Sequence, residues 1–451
     1  MYSNLIYKKA SPSIQSCLIT VRAAARRALR ERKQFQEYLN QFLVSEQLIG
    51  DEGKFFREEY IRNILASAVR DVPIYNELGI SSESIRKDPI SALMQFPLQN
   101  KATIREAGDR LVSSRAAKPL FRGSTSGTTG SPLFLWQDLA AINRENAAAW
   151  RQLLWAGFEP GKRRAWIRGD LIVPVTVDKP PFWRMNYAEN MEMFSSYHLS
   201  ERNAPAYIQE LERFDPQIIQ AYPSSVAFLA EWLNSNGKGY QGRELKGIVT
   251  SSESLSTDQQ ESIERAFGVR VFDWYGQFER VAAIGTCDHG RRHIISDYSH
   301  VELAPVDGGL FEIIGTGFNN KAMPLIRYRT GDFVTLSTQA SCPCGRDFPI
   351  VERILGRQDD YVLLPNGRKI GRMDHIFKGA NHILEAQIVQ DRIDQIVVNV
   401  VLGEGAHGVE ELLVANARER LGTEVDVQVK RVSMIERTRN GKLRNVICNV
   451  G

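Results

Sequence analysis

Residues 121–133 read Phe121-Arg122-Gly123-Ser124-Thr125-Ser126-Gly127-Thr128-Thr129-Gly130-Ser131-Pro132-Leu133, a run of small, hydroxylated and flexible residues. Glycines at 127 and 130 admit positive φ and a close backbone approach. The hydroxyls of Ser124, Thr125, Ser126, Thr128 and Thr129, together with successive amide N–H groups, can surround an anion. The run therefore reads as a phosphate-gripping loop. A Walker-type loop ends in Gly-Lys-Ser/Thr, whereas Gly130 is followed by Ser131 and Pro132, which argues against an ordinary P-loop NTPase. The competing reading is a Ser/Thr/Gly linker. The flanks oppose it: residues 133–136 have strand character, and Asp138 is placed to cap a helix ending near Gly157.

Working outward, 451 residues are many for a single core and suggest one large domain plus a smaller one. A content of 43% hydrophobic and 24% charged residues is that of a soluble globular protein. With 57 basic and 53 acidic residues, the surplus of +4 is too small to point to nucleic acid as a partner. No apolar run reaches the length of a membrane span. The N-terminal stretch sets Lys8, Lys9, Arg22, Arg26, Arg27, Arg30, Arg32 and Lys33 around apolar positions. It reads either as an amphipathic, membrane-touching or import-type helix or as a solvated surface helix; Glu31, Glu37 and Glu46 and the lack of a secretory apolar region favour the second. Five cysteines, odd in number and mostly clustered, suit a reducing, cytoplasmic setting better than a disulfide framework.

In order along the chain, residues 13–71 read as helices closed by Pro73, which pushes its predecessor away from the α region. Residues 164–167 and 218–222 read as strands, and 205–214, 224–234 and 258–267 as helices. Residues 246–250 and 269–274 look like buried strands. This alternation predicts a parallel, layered α/β core. Ligands bind beyond the carboxyl ends of such strands, where Thr250-Ser251-Ser252-Glu253-Ser254 and Trp274-Tyr275-Gly276-Gln277-Phe278-Glu279-Arg280 both fall. Ser252 and Glu253 are nucleotide-site candidates; the alternative for Glu253 is an acid at a helix N-terminus. Tyr222 and His198, with Trp183, Tyr187, Phe194 and Tyr197, are either the lining of an acyl or aryl pocket or plain core. Cys287, Cys342 and Cys344 with one histidine would make a closed tetrahedral zinc site; the alternative is four reduced, buried side chains.

The loop at 124–130 resembles the signature loop of the AMP-forming adenylating enzymes, the superfamily of acyl-CoA synthetases, peptide-synthetase adenylation domains and luciferases. Within it the chain is most similar to the phenylacetate-CoA ligase family and its relatives from capsular polysaccharide clusters, from about Val72-Pro73-Ile74-Tyr75 to Gly441-Lys442. The resemblance implies a large layered α/β N-terminal domain (1–358, with a helical segment at 1–71 and a zinc knuckle within 287–344) and a small, mobile α+β lid (359–451). It implies that Tyr275 and Gly276 lie against adenine and that Glu279 helps hold Mg²⁺, which usually needs only one or two carboxylates. Phe278 stands where the family carries a hydroxyl residue, so one phosphate-side hydrogen bond lacks its usual donor. Asp332, at the end of Tyr328-Arg329-Thr330-Gly331-Asp332, would accept both ribose hydroxyls of ATP. Arg357 in Gly356-Arg357-Gln358-Asp359-Asp360 would sit near ribose and phosphate, with Asp359 as the hinge pivot. Lys442, in Arg439-Asn440-Gly441-Lys442, would reach the α-phosphate and the substrate carboxylate, with Thr128 acting on the phosphates. The capsular relatives' pattern points to His293 over His289 as the zinc ligand.

What the resemblance implies is a ligase. A carboxylate attacks the α-phosphorus of ATP, pyrophosphate leaves, and the acyl-adenylate is passed to a nucleophile, usually coenzyme A. The resemblance implies a small carboxylic acid as substrate, and relatives are often homodimers. Two rival readings stay open: transfer of the acyl group or AMP to an amine or macromolecule, and a non-catalytic nucleotide-binding relative.

Overall fold

The computed structural model describes residues 5–450 except 32, 125–132, 254, 256, 307–308, 340, 355–361, 371–372, 381–382, 403–405, 434 and 436–445. Its main element is a twelve-stranded sheet. Five neighbouring strands are parallel, in the spatial order Met191–Ser195, Arg164–Arg168, Ile218–Ala221, Gly247–Ser251 and Val271–Gly276. The helices Ala204–Phe214, Pro223–Ser235 and Thr257–Phe267 cover this part of the sheet. The strands are apolar in near-continuous runs because they are buried; Gly247–Ser251 is buried at every position. Beyond Val271–Gly276 the sheet continues antiparallel through Ala283–Thr286, Arg292–Ile294, Ile350–Ile354, Tyr328–Leu336, Leu310–Gly317 and Ser299–Val306. The expected layered α/β class is what the chain adopts.

A separate four-stranded sheet follows, in the order Asp426–Arg431, Gln395–Leu402, Ile383–Arg392, Val446–Cys448. The helix Val409–Leu421 packs on it and closes its own apolar core around Ile388, Val398, Leu413 and Ala417. The α+β character expected of the C-terminal part is present there.

Near the N-terminus, helix Pro12–Arg30 lies along the edge strand Trp183–Asn186. Helix Lys33–Ser45 packs on Leu139–Trp155, whose start is fixed by Asp138 accepting from Ala141 N at 2.7 Å. A buried ion network locks these helices to the sheet. Arg151 donates through both Nη atoms to Asp297, at 2.6 and 2.9 Å, and to Phe42 O at 3.0 Å. Ser45 also donates to Asp297. Burial pushes the Glu46 carboxyl up, opposed by Arg151 and Arg346 beside it and by the Trp155 indole N–H.

Removing one partner of a buried, bidentate pair strands the other charge. Asp297→Ala is therefore expected to destabilise the chain by about 3–5 kcal/mol, read as a lowered urea midpoint. A midpoint unchanged from the parent would show that the network does not hold the helices.

Candidate functional site

The parallel strands run Arg164–Arg168 first; the chain then moves to one side for Met191–Ser195 and crosses to the other for Ile218–Ala221 and its successors. The strand order reverses there, and such a reversal opens a crevice at the carboxyl ends. Arg168 ends the first strand, and its guanidinium lies 4.6 Å over the Trp166 ring and 5.6 Å over that of Tyr222. Arg168 also donates to Ser251 Oγ. Tyr222 follows strand Ile218–Ala221, so it sits at the crevice. Gly169 lets it in, since a Cβ at 169 would stand 3.1 Å from Tyr222 Cε2. Arg168 was not singled out from the sequence, although its place at a strand's carboxyl end is a signal that could have found it.

The two downstream motifs meet across the sheet. Tyr275, in Val271–Gly276, donates its phenol to Asp332 Oδ2 at 2.8 Å. Tyr328, in the same strand as Asp332, donates to Glu279 Oε1 at 3.2 Å. Each motif thus offers the other a tyrosine and a carboxylate. Burial, and then the Asp332 charge, hold the Tyr275 phenol well above its ordinary pKa, so it stays a neutral donor. Gln277 Nε2 donates to the same phenol oxygen.

The strand of Asp332 bulges where Asp332 meets Tyr275. Phe333 pairs with Glu312 and Arg329 with Ile314, so Thr330, Gly331 and Asp332 stand opposite Ile313 alone. Gly331 takes φ 71°, a value that favours glycine. Thr330 Oγ1 donates to Ile313 O at 2.9 Å and accepts from Asp332 N at 3.0 Å, closing the bulge. Asp332 thus lies within a long strand and its bulge. The start of the strand is pinned by the segment before residue 101, to which the sequence assigned no chemistry. Gln99 O accepts from Arg329 N at 2.8 Å, and Gln99 Oε1 accepts from the Tyr75 hydroxyl at 2.9 Å.

Glu253 accepts from Ser224 N at 3.1 Å, at the N-terminus of helix Pro223–Ser235. Its helix-dipole role is thus toward a neighbouring helix. Ser252 beside it takes φ 72°, a strained value for a residue with a Cβ. Ser124 ends strand Phe121–Ser124, which pairs with Phe134–Gln137, so these two strands flank the segment that the sequence offers as a phosphate-gripping loop. Thr125, Ser126, Gly127, Thr128, Thr129 and Gly130 lie outside the described residues, as do Arg357, Asp359 and Lys442. The aromatic Phe278 is accommodated at the root of this hairpin: a Cβ on Gly123 would stand 2.2 Å from its Cζ. Gly276 closes strand Val271–Gly276 beside the Trp274 indole, 3.1 Å from a Cβ built there.

His198 has both ring nitrogens engaged, Nδ1 with Ser195 Oγ at 2.8 Å and Nε2 with Pro174 O at 3.2 Å. Its ring stacks on Phe182, centroids 4.8 Å apart. Burial, with Arg368 nearby, pushes its pKa down to about 4, so it is a neutral member of an aromatic core. Of the two weak pocket candidates, Tyr222 lies at the crevice, whereas His198 is occupied by packing.

Cys287, His293, Cys342 and Cys344 bring one ligand atom each within 4.8 Å of one another. Cys287 Sγ is 3.7 Å from Cys342 Sγ, and Cys344 Sγ is 3.5 Å from His293 Nε2. His293 Nδ1 stands 2.9 Å from Phe348 O, which assigns it the proton and leaves the Nε2 lone pair aimed at the thiols. Burial and the neighbouring thiols push Cys342 up to about 12. The set can hold a cation in a closed tetrahedral arrangement. His289 is outside it, its Nδ1 3.5 Å from Asp288.

A family model for the CapK C-terminal domain matches residues 362–449. The chain is 25% identical to Protein CapK of Staphylococcus aureus over 456 residues, 99% of each protein. It is 24% identical to the phenylacetate-coenzyme A ligase of Thermus thermophilus, over 68% of this chain and 71% of that one. The Escherichia coli ligase of the same name is 24% identical over 70% and 73%. Among solved structures, 2-hydroxyisobutyryl-CoA ligase in its thioesterification state superposes with a TM-score of 0.56 at 19% identity, covering 90% of this chain and 91% of that one. Its postadenylation state gives 0.53 at 18%, with the same coverage. These structures share the fold.

The Gly123–Phe278 contact predicts a coupled pair. Gly123→Ala should cost about 1–3 kcal/mol in the parent through overpacking, and less than about 0.5 kcal/mol when Phe278→Ala has removed the ring. A double-mutant cycle by urea unfolding reads it, and equal costs in both backgrounds would contradict the contact.

Proposed function

We propose, from the premise that this chain is a relative of the phenylacetate-CoA ligases and of CapK among the AMP-forming adenylating enzymes, that it activates a carboxylic acid with ATP and passes the acyl group to a thiol, coenzyme A. The observation that carries this reading is the crossed pairing of Tyr275 with Asp332 and of Tyr328 with Glu279. It joins two motifs distant in sequence across the interior of the sheet and brings together a neutral phenol and two oriented carboxylates.

In the first half-reaction a carboxylate oxygen attacks the α-phosphorus and the bond to pyrophosphate breaks. Two anions approach, so the barrier is electrostatic and positional. Asp332 holds the ribose and Tyr275 flanks the base, while the amides and hydroxyls of residues 124–130 take the phosphates. Ser252, strained and exposed, and Glu253 border the same crevice. Glu279 offers one hard oxygen ligand to Mg²⁺, which neutralises phosphate charge when bound with ATP. Lys442 stabilises the charge that builds on the α-phosphate and the carboxylate, and Arg357 the ribose–phosphate side. In the second half-reaction the thiol sulfur attacks the acyl carbon and AMP leaves. Residues 359–451 form a lid that turns about Asp359 between the two steps. The acid enters at the crevice lined by Arg168 and Tyr222. The similarity to CapK over 99% of both chains keeps a second acceptor, an amine or a macromolecule, as the alternative.

The Cys287, His293, Cys342 and Cys344 set binds zinc in a structural role, because four protein ligands leave no place for a water. It ties the turn at residues 342–345 to strand Arg292–Ile294.

ATP–pyrophosphate exchange across aryl, fatty and amino acids should appear with one class of acid. It should fall by about 10²-fold or more in Lys442→Ala, the scale for losing one charge-stabilising donor, with the apparent KM for ATP raised in Asp332→Ala. Product then forms a thioester on adding coenzyme A; pyrophosphate release without thioester assigns another acceptor. No exchange with any acid, in protein that binds ATP, would overturn the reading. Independently, metal analysis should find about one zinc per chain, lost in Cys342→Ser together with a drop in melting temperature. Protein isolated without metal that melts normally would remove the zinc.

A further inference from the structure

Helix Pro12–Arg30 presents its apolar side outward. Its inward side is largely polar and serves the edge of the large sheet: Ser16 Oγ accepts from Met185 N at 3.2 Å and Thr20 Oγ1 from Tyr187 N at 3.1 Å. Gln15 Oε1 accepts from Arg184 Nε at 2.6 Å, and Gln15, Ser16, Ile19 and Ala23 are buried. The edge strand Trp183–Asn186 is thereby covered, as an exposed edge needs to be. The cost is an uncovered stripe on the opposite side. Ile14 is 54% exposed, Val21 67%, Leu18 37% and Leu29 41%. With exposed Ala25 these positions recur at helical spacing down one line of the helix. In the preceding helix, Leu5–Lys9, Leu5 is also exposed. The sequence favoured a solvated surface helix here, and most of its positions are exposed.

Charge decides what fits this face. Residues 1–30 contain six basic side chains, Lys8, Lys9, Arg22, Arg26, Arg27 and Arg30, and no acidic one, although the whole chain carries only +4. Lys8 is 3.7 Å from Glu419 and Arg27 pairs with Glu31, whereas Lys9 and Arg26 stand exposed. A second copy of the chain would set this positive face against itself. An anionic bilayer surface satisfies both features: acyl chains and headgroups take the stripe, and lipid phosphates take the basic residues. The helix lies on such a surface and does not span it; no described helix is long and apolar enough to cross a membrane.

We propose that helix Pro12–Arg30 is a docking face for an anionic lipid surface and holds the protein there peripherally. The full chain is sedimented with phosphatidylglycerol–phosphatidylcholine vesicles and with phosphatidylcholine alone, at low and high salt. Binding should be at least about 10-fold tighter to the anionic vesicles and weakened by salt. Leu18→Glu with Val21→Glu should weaken it by about 10-fold or more at an unchanged melting temperature. Val21→Trp, which keeps the face apolar, should shift its emission to the blue on anionic vesicles, and it serves if the double variant fails to fold. No preference for anionic vesicles, no shift from the Val21→Trp tryptophan, or undiminished binding by a folded double variant would each overturn the proposal. So would a dimer in sedimentation velocity that the double variant dissociates and that ignores vesicles, which would assign the face to a second copy.

Discussion

Two phenol–carboxylate hydrogen bonds, Tyr275 to Asp332 and Tyr328 to Glu279, tie together two segments distant in sequence. Each segment contributes one donor and one acceptor, so neither carboxylate is held without the other segment in register. The bulge at Thr330–Gly331–Asp332 shifts the register by two residues and so keeps Asp332 on the same buried side of its strand as Tyr328. The arrangement depends also on Gln99 and Tyr75, which hold the strand's beginning. The two pairs therefore rest on contacts reaching back to the helical N-terminal third of the chain.

The crevice at Arg168 and Tyr222 is built on a different principle. There the site follows from topology: the strand order reverses beside Arg164–Arg168, and the crevice takes whatever residues end the adjacent strands. Arg168 and Tyr222 meet there by π contact, and Gly169 leaves the space for it. Such a lining can vary while the tyrosine–carboxylate pairs stay as they are, since the two draw on separate strands.

Away from both, the Arg151–Asp297 pair fastens the helices over the antiparallel part of the sheet, and Arg346 extends the network toward the cysteine cluster, 2.8 Å from Asp288 and 3.6 Å from Glu46. The cysteine–histidine set and the buried ion network thus occupy the same corner. Helix Pro12–Arg30 does the opposite service at the far edge, where its hydroxyls complete an edge strand and its apolar residues are left outside.

Much of this was legible in the chain alone. The parallel strands and their helices announced themselves through apolar runs and turn residues, Asp138 as a helix cap through its position, and Cys287, Cys342 and Cys344 through their side-chain chemistry. These are local properties, written in neighbouring residues. The motif segments could likewise be picked out as polar clusters at strand ends. What the sequence could not contain was pairing at a distance: that Asp332 meets Tyr275, that Glu253 serves the helix at Ser224, that Gly123 makes room for Phe278, or that His198 is consumed by packing. Nor could periodicity say which side of helix Pro12–Arg30 turns inward, because a helix carries two faces and only the edge strand's unpaired N–H groups chose the polar one. Composition and local pattern determine which elements form; the register and packing between elements, set by hydrogen bonds and close contacts many residues apart, decide which side chains become a site.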